Sequence, residues 1–502
     1  MSVATEVSDM SSTSFPTKTV VVLGGSYGGS RAAHVLMEIS DSVGVFLTSN
    51  DVPRHRNHVY NFSRYAVLAG HEHKAFIPYN NNFPSSSLSD VSSCSSHVRV
   101  QATITSIENN RIILSPNLPG SQQSYLDFDY AIYALGSHLP QPIDLWSHRK
   151  EGDVKSSLEP PYGGMKSEGI SSLQERQKRV EAARSVLVVG GGALGIQFAT
   201  DIAAIYPHKR VTLLHSRHRL LPKFDHAVHE EALQGLQELN VRVILGERLD
   251  FESLQHKSTN QGSSEPRLVR TVSGREISAD LLLLCTGQTP NTALLRDMDP
   301  RAVSPDTGLA HVLRTMQLCV PPPSLELHKF QADDVLHCLK KLILDTEEGS
   351  DSESSPSSPS ITPVDIPTTS PSSSTETLVE PYLSEKTLYP NIFVVGDAAD
   401  AFDAIKAGHT SYYQAEVAAR NILRLISRSE KVGITAGDKL DSELEEYAPG
   451  PPAIKVTLGI TKSVYEVDGV VGTRNNGVED LNAAVMWASC GMRDVSEEDM
   501  FM

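Results

Sequence analysis

The chain has 502 residues, enough for two or three domains, and its 39% hydrophobic content supports globular cores. A formal charge of −17 argues against nucleic acid as a partner, because binding a phosphate backbone calls for a basic surface. The five cysteines, Cys94, Cys285, Cys319, Cys338 and Cys490, form no C-x-x-C or metal-spaced pair, which excludes a dithiol centre and a cysteine-bound metal and points to a reducing compartment.

Residues 1–16 are polar and acidic, with no basic segment, apolar core or Arg-rich character of a targeting peptide, and are expected to be a disordered lead-in. From Thr17 onward strand and helix patterns alternate, which predicts α/β layers with parallel sheets. The first unit opens with VVVLGGSYGG from Val20: an apolar run, a Gly-rich turn and a helical stretch. Such a turn brings backbone N–H groups close to a pyrophosphate, and the helix dipole favours the negative charge there. Gly24 and Gly29 hold the outer glycine positions, with Gly25 and Gly28 beside them, while Ser26 stands at the middle position. A ribose-binding carboxylate is expected about 20 residues later. That region reads VFLTSND, so Ser49 stands in its place and Asp51 lies just beyond the strand end.

Residues 80–97 are Ser/Asn-rich and read as a surface loop; residues 98–115 read as paired strands around Asn109-Asn110. FDYAIYALGS, at Phe128–Ser137, is a further buried strand ending in glycine. A linker at about 148–180 precedes a charged helix, QERQKRVEAARS. The second Gly-rich turn, VLVVGGGALG from Val186, is complete, with Gly190, Gly192 and Gly195. Its following strand ends in His215 and Ser216, with Arg217 and Arg219 beyond. Without a carboxylate there is no repulsion of a 2′-phosphate, and the arginines can attract one, so NADH or NADPH serves and the arginines favour NADPH; a plain solvated face is the alternative. The strand ADLLLLCTGQTPN then ends at Gly287, as FDYAIYALGS ends at Gly136.

Residues 345–380 hold eight acidic side chains and no Lys or Arg in a Ser/Pro/Thr-rich context, and are expected to be a disordered surface insertion. LYPNIFVVGDAAD follows, a strand with an acidic turn at Asp397, then a helical stretch carrying Lys406 and His409. The segment KVTLGITKSVYEVDG reads as a hairpin, and LNAAVMWASCG as an apolar stretch that either meets a membrane or packs on the core. No run of about 20 apolar residues exists, so no membrane-spanning helix is predicted.

The ordered set GGSYGG, FDYAIYALGS, GGGALG, LLLLCTGQTPN and NIFVVGDAAD resembles the two-dinucleotide-fold flavoprotein oxidoreductases. NHVYNFSRYAVLAG with KAFIPY, YPHKRVTLLHSRHRLLPKF and YAPGPPAIKVTLG make the chain most similar to the apoptosis-inducing-factor-like (AMID or ferroptosis-suppressor-like) branch. The resemblance implies an α/β fold of two Rossmann-like dinucleotide-binding domains with a small C-terminal α+β region. Residues 17–150 and 296–430 would form a discontinuous FAD-binding domain, 181–295 the NAD(P)-binding domain and 431–502 the C-terminal region. It also implies FAD held by Gly24, Gly25, Ser26, Gly28, Gly29 and Ser49, with Arg64 at the flavin, Ile104 near the adenine through its backbone, and Asp397 at the ribityl chain. Lys406 and His409 would lie at the flavin's pyrimidine edge, either stabilising the reduced anion or merely exposed. The NAD(P) side would use Gly190, Gly192, Gly195, His215, Arg217 and Gly287. Two departures stand out: Gln197 where the family often has Glu, and Leu135 in LGS where TGS is common.

The function implied is hydride transfer from NAD(P)H to FAD and onward to a quinone-like acceptor, with the flavin itself as the reacting group and no certain catalytic side chain. A quinone implies a cytoplasmic protein with peripheral membrane contact, such as at the mitochondrial outer surface. A flavin-dependent oxidoreductase or monooxygenase of specialised metabolism, and a nucleotide-binding cell-death signalling protein, remain alternatives.

Overall fold

The apolar runs Val20–Leu23 and Val186–Val189 each lie within a parallel sheet, because a strand of consecutive Val and Leu is stable only when covered on both faces. A computed structural model describes residues 18–39, 43–48, 57–59, 62–78, 97–100, 102–115, 123–138, 165–254, 267–320, 387–431 and 443–501. The expectations for residues 1–16, Ser49, Asp51, the loop at 80–96, the linker at 148–164 and the insertion at 345–380 lie outside the described residues. Cys319–Pro390 separates as its own unit, in which Leu388 N donates to Val320 O at 2.9 Å.

The N-terminal portion contains β1 (Lys18–Leu23), α1 (Tyr27–Ile39), β2 (Val43–Thr48), the short helix α2 (Phe62–Tyr65), β3 (His97–Val100), β4 (Thr103–Ile107), β5 (Arg111–Ser115), β6 (Tyr125–Asp127) and β7 (Tyr130–Tyr133). The middle portion contains α3 (Lys166–Ala182), β8 (Ser185–Val189), α4 (Ala193–Ile205), β9 (Arg210–His215), α5 (His226–Glu238), β10 (Arg242–Leu245) and β11 (Leu281–Leu284). The C-terminal portion contains β12 (Tyr389–Val394), α6 (Gly408–Lys431), β13 (Ile454–Thr457), β14 (Lys462–Val467), β15 (Val470–Asn475) and α7 (Ala483–Ser489).

The first sheet has six strands in the order Gln317–Leu318, β12, β7, β1, β2, β3, with β12, β7, β1, β2 and β3 parallel throughout. Val20, Val21, Val22 and Leu23 at its centre are fully buried, each contributing about 1.5–3 kcal/mol of burial. The second sheet is fully parallel, in the order β10, β9, β8, β11. In both, the strand that carries the Gly-rich turn runs between the strand its helix leads to and a strand from later in the chain. That arrangement opens a crevice at the carboxyl ends of the strands, where ligands of open α/β sheets bind.

The run 98–115 does two jobs rather than one. Residues 97–100 pair in parallel with β2 as the edge of the first sheet, and only β4 and β5 form the antiparallel hairpin, closed where Glu108 N donates to Arg111 O. Near the C-terminus β13 and β14 pair antiparallel and β15 adds a third strand. The apolar stretch 481–491 packs inward: Ala483 and Trp487 are buried with Ile77 and Met500 in one cluster. Among the described residues, no helix is long and apolar enough to cross a membrane.

Candidate functional site

The first Gly-rich turn is shaped by its own backbone. Gly24 has φ +106°, and a Cβ there would lie 2.4 Å from Ala134 O. A Cβ on Gly29 would lie 1.7 Å from Gly24 O, so α1 packs on the turn at a distance only glycine permits. Gly25 is buried and Ser26 is exposed. Ser26 immediately precedes α1, and its carbonyl accepts the helix's first hydrogen bond from Ser30 N at 2.8 Å. Serine is a preferred residue at a helix N-terminus, which accounts for its presence where the usual fingerprint has glycine.

A second helix start converges on this turn. A Cβ on Gly28 would lie 2.3 Å from Ser411 Oγ, and one on Gly408 would lie 2.9 Å from the Tyr27 ring, so the first turn of α6 sits against the first turn of α1. Tyr27 and Tyr412 also meet ring to ring, 5.8 Å between centroids. Ahead of α6, Gly396 (φ +76°) donates its N–H to Gln414 Oε1 at 2.7 Å, and the half-buried Asp397 accepts from Ser137 Oγ at 2.8 Å. Gly396, Asp397, Lys406, Thr410, Ser411 and Gln414 line one cavity. Lys406 stands at its mouth with its ammonium pKa below the ordinary lysine range, drawn down by desolvation while Asp397 and Asp400 oppose that shift. His409 is exposed.

The second turn repeats the logic with one difference. Gly190 (φ +121°) would place a Cβ 2.2 Å from Cys285 O, and Gly195 would place one 1.9 Å from Gly190 O. Gly192, the residue before α4, has φ −83° and open space around its absent Cβ. The opening at a helix N-terminus, rimmed by N–H groups, suits a pyrophosphate. His215 closes the other side of the turn. Its Nδ1 accepts from Gly191 N at 3.0 Å, so that nitrogen is unprotonated, and burial with help from Arg217 keeps its pKa low.

The two arginines after β9 are not equivalent. Arg219 donates through Nη2 to the carbonyls of Pro222 and Phe224 at 2.6 and 2.7 Å, which pins the loop that leads into α5. Arg217 is exposed. Gly287 (φ +125°) is exposed at the end of β11. Residues 286–291 turn back toward the first sheet: Ser137 and His138 pair antiparallel with Pro290 and Thr289. Asn291 clamps the junction, donating its backbone N–H to Gly136 O and its Nδ2 to Leu135 O, both at 2.9 Å, while Tyr133 donates to Asn291 O. The two strand-end glycine turns noted in the sequence are therefore joined to each other.

Arg64 is held by the protein itself. Its guanidinium is 1% exposed and is committed within the protein: it meets Asp201 at 3.0 Å and donates to the carbonyls of Ile460 and Gly459 at 3.1 and 2.9 Å. Ile104 is buried in β4, opposite Leu114, at a register shift in the three-stranded sheet β4–β5–β6, which is separate from the sheet carrying the first turn. Ser49 lies outside the described residues. Sequence reasoning missed Asp201, Asn291 and Gln414. Asp201 left a legible signal, a carboxylate within the otherwise apolar run IQFATDIAAI; Asn291 and Gln414 left none.

A family model described as pyridine nucleotide-disulphide oxidoreductase matches residues 18–308. The chain is similar to Fe-regulated protein 8 of Mycosarcoma maydis, 36% identical over 96% of this chain and 98% of that one. It is also similar to ferroptosis suppressor protein 1 of Taeniopygia guttata, 30% identical over 55% of this chain and 64% of that one, so it spans less than two thirds of that relative's length. Its fold is like that of the sulfide:quinone oxidoreductase from Aquifex aeolicus, with a TM-score of 0.57, 13% identity, and coverage of 96% of this chain and 94% of that one.

Proposed function

The chain belongs to the pyridine nucleotide-disulphide oxidoreductase family, and from that premise we propose that it passes electrons from NAD(P)H, through FAD, to a quinone. It is an FAD-dependent NAD(P)H:acceptor oxidoreductase. One observation carries the finer reading: two Gly-rich strand–helix turns, each at the switch point of a parallel sheet, with the strand-end turns of the two sheets bound together at Asn291. Bound FAD supplies the two-electron chemistry, accepting hydride and releasing electrons onward.

The protein's part is binding, orientation and charge. We assign the N–H groups of the Gly24–Gly29 turn, with the start of α1, to the FAD pyrophosphate, where the helix dipole favours it. Asp397, already held by Ser137 Oγ, is the acceptor for the sugar-chain hydroxyls. The N-terminus of α6 and the Lys406 ammonium supply positive charge for a flavin anion. The Gly192 opening takes the nicotinamide dinucleotide's pyrophosphate, and Arg217, with Ser216, takes the 2′-phosphate of NADPH.

No protein nucleophile is required. The sequence has no C-x-x-C pair to serve as a redox dithiol, which is compatible with electrons passing to a diffusible acceptor. A quinone dissolved in a membrane then calls for contact with a membrane surface. The test is anaerobic: purified holoprotein should lose its flavin absorbance on addition of NAD(P)H and recover it on addition of a soluble quinone. Protein that keeps its absorbance in NAD(P)H, or that bleaches but is not reoxidised by quinone, refutes the corresponding half of the reading.

A further inference from the structure

The buried charge at Arg64 belongs to no step of that electron path, yet it sits where three parts of the chain meet. Arg64 is on α2, in the segment between β2 and β3 of the first sheet. Asp201, fully buried, is on α4, the helix whose N-terminus carries the second Gly-rich turn. Gly459 and Ile460 form the turn between β13 and β14. Arg64 touches all three, and neighbouring contacts reinforce the junction. Thr200 Oγ1, whose proton goes to Ile196 O at 2.8 Å within α4, lies 3.3 Å from Thr457 O, and Gly459 (φ +81°) would press a Cβ against Leu239 and Ala204. On the other side, Tyr65 donates its hydroxyl to Asp480 O, and Gln177 Nε2 donates to the carbonyls of Tyr65 and Leu68, so α2 is itself held from α3 and from the C-terminal segment.

A pair of this kind is a poor source of stability. Desolvating two charges costs several kcal/mol per ion, and well-packed apolar side chains of similar volume often do as well or better. The Arg64 Nε–Asp201 Oδ2 approach at 3.0 Å is also not an aligned hydrogen bond, and neither Asp201 oxygen has a hydrogen-bond partner. What the arrangement supplies is direction. The planar guanidinium fork has fixed donor geometry, with two donations locked on the Gly459–Ile460 turn and the charge pointed at α4.

We propose that Arg64 is a positioning residue for hydride transfer: through Asp201 and the Gly459–Ile460 turn it fixes helix α4, and with it the nicotinamide-carrying turn, against the flavin-binding part of the chain. Reacting atoms must come within about 3–3.5 Å, and a displacement of about 1 Å far from the chemistry can cost roughly a hundredfold in rate. The proposal rests on the two-cofactor function proposed for the chain. It replaces a flavin contact by Arg64 with an action through α4.

The experiment compares holoprotein of the wild type with Arg64→Lys, Arg64→Met, Asp201→Asn and Gly459→Ala. For each, bound FAD per chain, the visible flavin spectrum, the NAD(P)H concentration at half-maximal rate and the limiting rate of anaerobic flavin bleaching are measured. The expected result is an unchanged spectrum and FAD content, half-saturation within about twofold, and a limiting rate lowered about ten- to a hundredfold in Asp201→Asn and Arg64→Met. Arg64→Lys should recover part of that loss, and Gly459→Ala, which keeps both side chains but strains the turn against α4, should slow bleaching less but in the same sense. Should the Arg64 and Asp201 variants fail to fold, Gly459→Ala alone decides. Bleaching at the wild-type rate per bound flavin, whether or not thermal stability falls, overturns the proposal, as does a shifted flavin spectrum or lost FAD in Arg64→Lys. A wild-type protein that does not bleach at all overturns the two-cofactor function itself instead.

Discussion

Two glycines three residues apart should fail in opposite ways when replaced by alanine. Gly192 has φ −83° and ψ 178°, which alanine adopts freely, and nothing lies near its missing Cβ. Gly192→Ala should therefore fold with a stability loss of at most about 1 kcal/mol, the cost of a poorer residue at a helix N-terminus. If the pyrophosphate approaches through that opening, the new methyl stands in its path. Loss of one charge-assisted hydrogen bond, about 1.5–3 kcal/mol, weakens NAD(P)H binding by roughly ten- to a hundredfold. Gly195→Ala meets the opposite constraint: its Cβ would lie 1.9 Å from Gly190 O, where contacts below 3.0 Å do not occur. Helix α4 must retreat by roughly 1 Å, costing about 1–3 kcal/mol of stability. Thermal melts give the stabilities, and the NAD(P)H dependence of anaerobic flavin bleaching gives the affinities. Gly192→Ala protein with wild-type NAD(P)H affinity refutes the placement of the pyrophosphate; Gly195→Ala protein as stable as wild type refutes the packing argument.

The sheets were legible because their information is local. Val20–Leu23 and Val186–Val189 are apolar runs that only a doubly covered strand accommodates, and each is followed by glycines whose need is set by backbone a few residues away. Ser26 read as a defect in the fingerprint because the pattern counts glycines; the structure makes it the residue that opens α1, a role that favours serine. Asp397 was visible from its strand-end position, but its partner Ser137 lies 260 residues away, and no local pattern links them. The same distance effect hid the partners of Arg64. Its partners, Asp201 and the carbonyls of Gly459 and Ile460, lie 137 or more residues along the chain, and two of them are backbone atoms that any residue supplies. Resemblance places the arginine at the flavin, and only the fold shows the carbonyl acceptors and the carboxylate that hold it. Arg217 and Arg219 were indistinguishable in sequence, since only the course of the loop toward Pro222 and Phe224 decides which of them is free.

That difference gives a paired test: Arg217→Glu should lower kcat/KM for NADPH about ten- to a hundredfold with little change for NADH, whereas Arg219→Ala should lower the melting temperature for both. Equal NADPH and NADH responses to Arg217→Glu would remove the 2′-phosphate assignment. Asp397→Ala should release FAD, weakening its affinity about ten- to a hundredfold, and flavin absorbance per chain after gel filtration checks this; full retention would reassign Asp397 to the turn alone. The last prediction concerns pH and the C-terminal segment. Lys166 stands with its ammonium 4.8 Å above the Trp487 ring and donates to Met500 O, and burial draws its pKa down to about 8 from 10.5. The unfolded chain, with this lysine at its ordinary value, holds more protons between those limits, so folding becomes more favourable as pH rises from about 8 toward 10. Lys74 beside it shifts the other way. Burial pulls its pKa down, but bonds to Glu497 and Asp480 prevail and raise it, so the stability it contributes is lost only above the ordinary lysine value, outside this window. Lys166→Met should therefore flatten the rise in melting temperature between pH 8 and pH 10. Parallel curves for the two proteins would mean that the lysine is as well solvated in the folded chain as in the unfolded one, and that the segment around Trp487 and Met500 is not closed over it.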